Sequence, residues 1–229
     1  MALLDSWNSH ADEWVAWART PAHDHYFRDF HWPAFVKLLP EPGRLTLDIG
    51  CGEGRLSRSL QAVGHRMIAI DGAPNMIRAV VTHEEPVTAL LADSSRLPLA
   101  DEVADCVIAF MSLHDIDPMP ETVREIARVL SPGGHLVIAI VHPINSLGRF
   151  ENDAYTARGD YFEPKHYADP VTRDGLSMTF HGIHRPLQAY TEALADAGFV
   201  ITRMREVNHA NPDHEWHRMP LFLHIVAAK

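Results

Sequence analysis

Residues 48–54 constrain this chain more than any other stretch. Asp48-Ile49-Gly50-Cys51-Gly52-Glu53-Gly54 sets three alternating glycines behind an apolar run at 45–49. Ahead of them Leu56, Leu60 and Val63 fall on one helical face, with Gly64 as the stop. Glycines let the backbone reverse sharply and let a ligand approach the main-chain amides at the helix start. A strand, a glycine turn and an amphipathic helix in that order make one unit of an α/β domain with a mainly parallel sheet.

The alternation continues downstream. Strands are expected at 67–70, 87–91, 103–110 and 136–141. Pro74 opens a helix carrying Met76, Ile77 and Val80. Asp117-Pro118 opens another with Val123, Ile126, Ala127 and Leu130 on its apolar face, and Ser131-Pro132-Gly133-Gly134 is read as its stop. Residues 142–185 then break the pattern with Pro, Gly, Asp, Tyr and His; a loop of that length in a compact domain reads as a functional lid, with one strand at 176–183. A helix carrying Leu187, Tyr190, Leu194 and Ala197 and strands at 199–207 and 221–227 complete the chain.

The amino end differs. Leu4, Trp7, Ala11, Trp14 and Ala18 predict one helix whose buried stripe includes both tryptophans, and a second aromatic stretch runs from Tyr26 to Phe35. With 229 residues and 46 % apolar composition, the chain is expected to form a single domain. Its parts are a helical cap at 1–43, a ligand-binding core at 44–141, the lid at 142–185, and a last helix with two strands at 186–229.

The ligand is expected to contain a ribose. Asp71 ends the second strand, 23 residues after Asp48, where an acid can accept both ribose hydroxyl hydrogens. A dinucleotide fingerprint needs its third glycine five residues after the first, but here position 55 is Arg and the glycine is at 54. That departs from a nicotinamide-dependent oxidoreductase, which stays as an alternative. The spacing resembles motif I of the class I S-adenosylmethionine (SAM)-dependent methyltransferases. Ile70-Asp71-Gly72-Ala73-Pro74-Asn75-Met76, the run from Leu91 to Leu99, Phe110-Met111-Ser112-Leu113-His114, and Leu130-Ser131-Pro132-Gly133-Gly134 extend the resemblance over residues 45–141. They are similar to the ubiquinone/menaquinone methyltransferase-like (methyltransferase type 11) subgroup.

The resemblance implies a Rossmann-like, seven-stranded, mostly parallel sheet with one antiparallel strand and helices on both faces. It implies SAM as cofactor and S-adenosylhomocysteine as product. Carried over, Gly50, Cys51 and Gly52 lie against the methionine part and Asp48 holds its amino end. Asp71 and Gly72 take the ribose, Met76 flanks the adenine, and Asp93 and Ser94 bind its edge. Phe110 and Met111 line the methionine moiety, and Arg19 or Tyr26 from the cap reaches its carboxylate.

Methyl transfer implies an acceptor, small molecule or peptide, with oxygen favoured as the atom methylated. His114 and His142 each follow a sheet strand and are the candidate bases, expected to open toward the crevice. In the lid, His181 and Arg185 are candidate contacts to an acidic acceptor, and Tyr26 is a third acceptor contact. A carboxylate acceptor and a non-catalytic SAM-binding protein stay open beside the hydroxyl reading. His23-Asp24-His25 and the stretch 209–217 lack a recognised metal-ligand spacing, so no metal is expected. The net charge of −10 argues against nonspecific nucleic-acid or anionic-membrane binding. Residues 1–10 lack a secretory pattern, and Cys51 and Cys106 read as free thiols, so a cytoplasmic setting is expected. The oligomeric state is not legible.

Overall fold

The computed structural model describes residues 2–229. Two short helices, α1 (Leu3–Ser9) and α2 (Ala11–Arg19), open the chain. A helical stretch follows through Phe27–His31, α3 (Trp32–Phe35) and Val36–Leu38. The core then alternates: β1 (Thr46–Ile49), α4 (Arg55–Ala62), β2 (Met67–Asp71), α5 (Pro74–Val81), β3 (Ala89–Leu91), β4 (Ala104–Phe110), α6 (Met119–Val129) and β5 (Leu130–Val141). The insertion holds α7 (Pro143–Leu147) and four strands, β6 (Gly148–Glu151), β7 (Ala154–Ala157), β8 (Lys165–Arg173) and β9 (Leu176–His184). The chain ends with α8 (Leu187–Asp196), β10 (Val200–Val207) and β11 (Phe222–Ala228).

Seven strands form one sheet in the order β10-β11-β5-β4-β1-β2-β3. β11 runs antiparallel to both neighbours, and the β1–β2, β1–β4, β2–β3 and β4–β5 pairs are parallel. This is the expected architecture. Strict alternation splits the side chains between two cores. Leu47, Ile49, Ile138 and Ile140 pack against Ile126 of α6 and Leu194 of α8. Val137, Ala139 and Ile108 face the other way, toward Phe35 and toward Leu56 and Leu60 of α4.

Three local expectations change. The amino-terminal helix is broken at His10 (φ −98°, ψ 12°), whose Nδ1 lies 2.8 Å from the Ser6 carbonyl. The break rotates the apolar stripe, so Leu3, Ala11 and Trp17 are buried, Leu4 is exposed, and Trp7 and Trp14 are half-buried. The helix does end before residues 131–134, at Val129, but those residues belong to the next strand. They form a register shift inside β5, which pairs with β4 from Leu130 onward. The insertion is mostly strand: β6–β7 and β8–β9 are antiparallel hairpins. Their turns, Asn152-Asp153 and Asp174-Gly175, hold both central residues at positive φ, the backbone that a right-twisted two-residue hairpin requires.

Among the described residues no helix is long and apolar enough to cross a membrane. Both cysteines are free and buried.

Candidate active site

The carboxyl ends of β1, β2 and β4 open into a cavity of about 860 Å³, within the size range of small-ligand pockets. Asp48, Gly50, Cys51, Gly52, Asp71, Gly72, Met76, Asp93, Ser94, Phe110 and Met111 all line it. These are eleven of the twelve cofactor residues read from the sequence.

The glycine turn is held by main-chain bonds. The amides of Gly50 and Cys51 both donate to the Ile70 carbonyl, at 2.8 and 3.0 Å. Gly50 and Gly52 sit at φ +69° and +56°, where a side chain strains the backbone. A Cβ at Gly50 would fall 2.4 Å from Ser112 Cβ, and one at Gly52 would fall 2.9 Å from Trp14 Nε1. The cap therefore rests directly on the turn.

Asp71 links turn and strand. Its Oδ2 accepts from the Gly52 amide at 2.9 Å and its Oδ1 from the Ala73 amide at 2.8 Å. Each oxygen keeps a lone pair for a further donor. Burial pushes this carboxyl up to about 6, against the pull of those amides. Burial likewise pushes Asp48 up to about 7, although the Ser57 hydroxyl donates to it at 2.6 Å. Asp93 is exposed at the other end of the cavity, where its Oδ1 accepts from both the amide and the hydroxyl of Ser95. The Ser94 hydroxyl pairs with that of Thr122. Met111 closes the opposite side at φ +56°, an uncommon conformation for its residue type, anchored by its amide on the Ala139 carbonyl at 2.7 Å.

The other expected site residues divide. His114, Tyr26 and His181 line the cavity. His114 Nε2 lies 3.3 Å from Asp115 Oδ1, and its Nδ1 has no partner. Burial and then the Arg185 charge drive His114 down to about 3, and burial holds the Asp115 carboxyl well above its usual range. The imidazole is therefore neutral near physiological pH. Tyr26 hydroxyl lies 3.2 Å from His214 Nε2, and His181 packs against His10 and Trp7.

Arg19, His142 and Arg185 are not among the lining residues and need correction. Arg19 turns to the buried Glu53 carboxylate at 3.0 Å and the Ala79 carbonyl. His142 caps α7, its Nδ1 accepting from the Ile144 amide, and its Nε2 lies 3.2 Å from Glu206 on β10. Arg185 is buried and donates to the carbonyls of Leu113, His114, Ile116 and Asp117. Buried acceptors took both arginines, whereas His142 went to the first amide of α7 and to an exposed carboxylate.

The reading of Trp7 and Trp14 as core residues also changes, since both line the cavity, as do Trp17 and Phe180. Sequence reasoning missed Arg55, Asp24, His31, Asp115 and Tyr167, all of which line it as well. Arg55 directly follows the glycine turn, which was its one available signal. Among the described residues no three His, Cys, Asp or Glu side chains are grouped to hold a metal ion.

Comparison with known proteins agrees with this geometry. Residues 47–138 match the family model described as a methyltransferase domain. This segment belongs to that family. An uncharacterized methyltransferase of Mycobacterium bovis is 36 % identical over 99 residues, which are 43 % of this chain and 40 % of that protein. A demethylmenaquinone methyltransferase of Mycobacterium marinum is 35 % identical over 113 residues, 48 % of each chain. The match therefore spans less than half the length of these relatives. A crystal structure of a SAM-dependent methyltransferase from Mesorhizobium loti superposes with a TM-score of 0.70 at 24 % identity, covering 88 % of this chain and 99 % of that one, and shares its fold.

The neighbour that shares this fold is named as SAM-dependent, which makes SAM the group to test against the cavity. The residues present fit it: a glycine cradle that a Cβ would fill, a paired acid with free lone pairs for a ribose, and a buried acid near the turn.

Proposed function

We infer that the chain transfers a methyl group from SAM to an oxygen of a small, largely apolar acceptor. One observation carries this reading: a single cavity joins the cofactor residues to a chamber walled by His31, Phe110, Met111, His114, Trp216 and Phe222. Bound at the glycine turn, SAM supplies an electrophilic methyl carbon on a cationic sulfur. Displacement needs the acceptor atom, carbon and sulfur in line, with water kept out. Trp14 and Trp17 from the cap meet Phe180 of β9 edge to face over the cavity, which favours exclusion of water.

His114 is the residue we assign to the acceptor. With its basicity lowered to about 3 it accepts a hydrogen bond but does not strip a proton from an aliphatic alcohol. That favours an oxygen that ionises readily, as in a phenol. The carboxylate alternative loses the cation expected for it, because Arg185 is engaged by four carbonyls.

The test is transfer of labelled methyl from SAM to a panel of phenols and matched carboxylic acids, with S-adenosylhomocysteine and NAD titrated in parallel. The reading expects S-adenosylhomocysteine binding, no NAD binding and product on the phenols. His114→Ala should lower kcat about tenfold, the scale of one hydrogen bond, with S-adenosylhomocysteine affinity unchanged. Product only on carboxylic acids would replace the phenol reading, and binding without turnover over the whole panel would favour a non-catalytic SAM-binding protein.

A further inference from the structure

The cofactor's amino-acid end needs a cation, and the residue expected to provide one has turned away. The sheet order β4-β1-β2-β3 sets the direction. With the ribose on Asp71 and the adenine toward Asp93, the amino-acid end extends past the glycine turn toward Asp48 and Met111. Five Arg and Lys side chains line the cavity: Arg55, Arg149, Arg158, Lys165 and Arg173. Four of these stand on the insertion. Arg149 and Arg158 both pair with Glu151, and Arg173 is bound to the His23 carbonyl and His25. Arg55 alone follows the turn.

Its surroundings are built. The Arg55 guanidinium carbon lies 3.9 Å from the centre of the Phe27 ring and 5.0 Å from that of Trp14. Its Nη1 is 2.6 Å from Asp24 Oδ2, and both side chains are about four-fifths buried. Trp14 is the same ring that meets Gly52. Asp24 belongs to the cap, where its Oδ1 accepts from the Phe27 amide at 3.4 Å. A guanidinium has five donors, and this pair joins one of its nitrogens to one carboxylate oxygen, the other oxygen being held by the Phe27 amide. A second carboxylate arriving at Arg55 meets Asp24 as a like charge in a poorly solvated site, which disfavours keeping both.

We propose that Arg55 is the counter-ion for the carboxylate of the cofactor's amino-acid end, and that Asp24 occupies that place until the cofactor exchanges it. This rests on the SAM reading of the site. The exchange couples cofactor binding to the cap: the carboxylate that leaves Arg55 is the one bonded to the amide of Phe27, beside the aromatic roof.

Two probes separate the carboxylate from the rest of the ligand. S-adenosylhomocysteine carries the amino-acid end; 5′-methylthioadenosine keeps the adenosine and thioether and lacks it. Both are titrated calorimetrically into the full chain and two variants. Arg55→Gln should weaken S-adenosylhomocysteine about ten- to hundredfold, the range for hydrogen bonds to charged groups, and leave 5′-methylthioadenosine within about twofold. The second ligand also reports that the variant is folded. Asp24→Asn keeps an acceptor for the Phe27 amide and removes the competing charge, so S-adenosylhomocysteine should bind about three- to tenfold tighter. Equal losses of both ligands in Arg55→Gln, no loss of either, or weaker S-adenosylhomocysteine binding in Asp24→Asn would overturn the proposal. Failure of the unaltered chain to bind either ligand would instead remove the SAM reading beneath it.

Discussion

Asp71 shows how one side chain does two jobs. Its carboxylate receives the Gly52 amide and so fixes the turn, and the same oxygens face the cavity. Asp71→Ala leaves that amide and, on the SAM reading, the ribose hydroxyls without an acceptor. Affinity for S-adenosylhomocysteine should fall by about 1–3 kcal/mol, measured calorimetrically. Unchanged affinity would place the ribose elsewhere. Glu53, directly after Gly52, is the structural counterpart. It is buried, receives Arg58 at 2.6 and 2.7 Å and Arg19 at 3.0 Å, and ties α2 to α4. The arginine expected at the cofactor was drawn off by this buried carboxylate, since an uncompensated charge there is costly.

At the scale of elements, the insertion is held from beneath. Arg185, at the foot of β9, bonds four carbonyls of residues 113–117, the segment that carries His114 and Asp115. Tyr167 of β8 packs over Gly182, where a Cβ would lie 2.4 Å from its hydroxyl and 2.9 Å from Asp115 Oδ1. The hairpin and the loop after β4 are therefore one packed body. Arg185→Met keeps the length and strands those carbonyls. It should destabilise the protein by roughly 3 kcal/mol in chemical denaturation, from several buried groups left unpaired. A loss below about 0.5 kcal/mol, typical of a surface change, would mean that the hairpin docks without it. Sequence reasoning expects one strand here, at 176–183, and passes over the turn signals Asn152-Asp153 and Asp174-Gly175. The dense Pro, Gly and Asp content of 142–185 pointed to a loop and masked them.

For the whole molecule, buried imidazoles and buried carboxyls pull the acid response in opposite directions. His31 stacks on Phe222 and on His224 inside the sheet's cap-side core, and both nitrogens of His224 lack partners. Burial and then Arg205 push His224 down to about 4, from a model-peptide value near 6.5. The unfolded chain therefore binds a proton that the native protein refuses. The stability is fully present above about pH 6.5 and is lost as pH falls toward 4. Asp48 and Asp71 act in the opposite sense, because their raised carboxyls keep protons in the native state that the unfolded chain has released. His224→Phe preserves an aromatic ring and removes the titration. Between about pH 7 and 5 the unfolding free energy of the unaltered chain should fall about 2 kcal/mol further than that of the variant. Parallel pH profiles would assign the acid sensitivity to other groups.

Local pattern determined the order of strands and helices, the glycine turn and the acid at the end of β2. Each depends on residues within a few positions of one another: apolar period, backbone freedom, strand end. Those placements made eleven cavity-lining positions readable in advance. Tertiary structure decided where the long polar side chains went. Arg19 met Glu53, Arg185 met the 113–117 carbonyls, His142 met the Ile144 amide and Glu206, and Arg55 met Asp24. A flexible charged side chain goes to the best buried partner within reach, and most of those partners lie tens of residues away in sequence. Periodicity fixes which way a strand residue faces; it carries no information about which distant carboxylate or carbonyl will be waiting there.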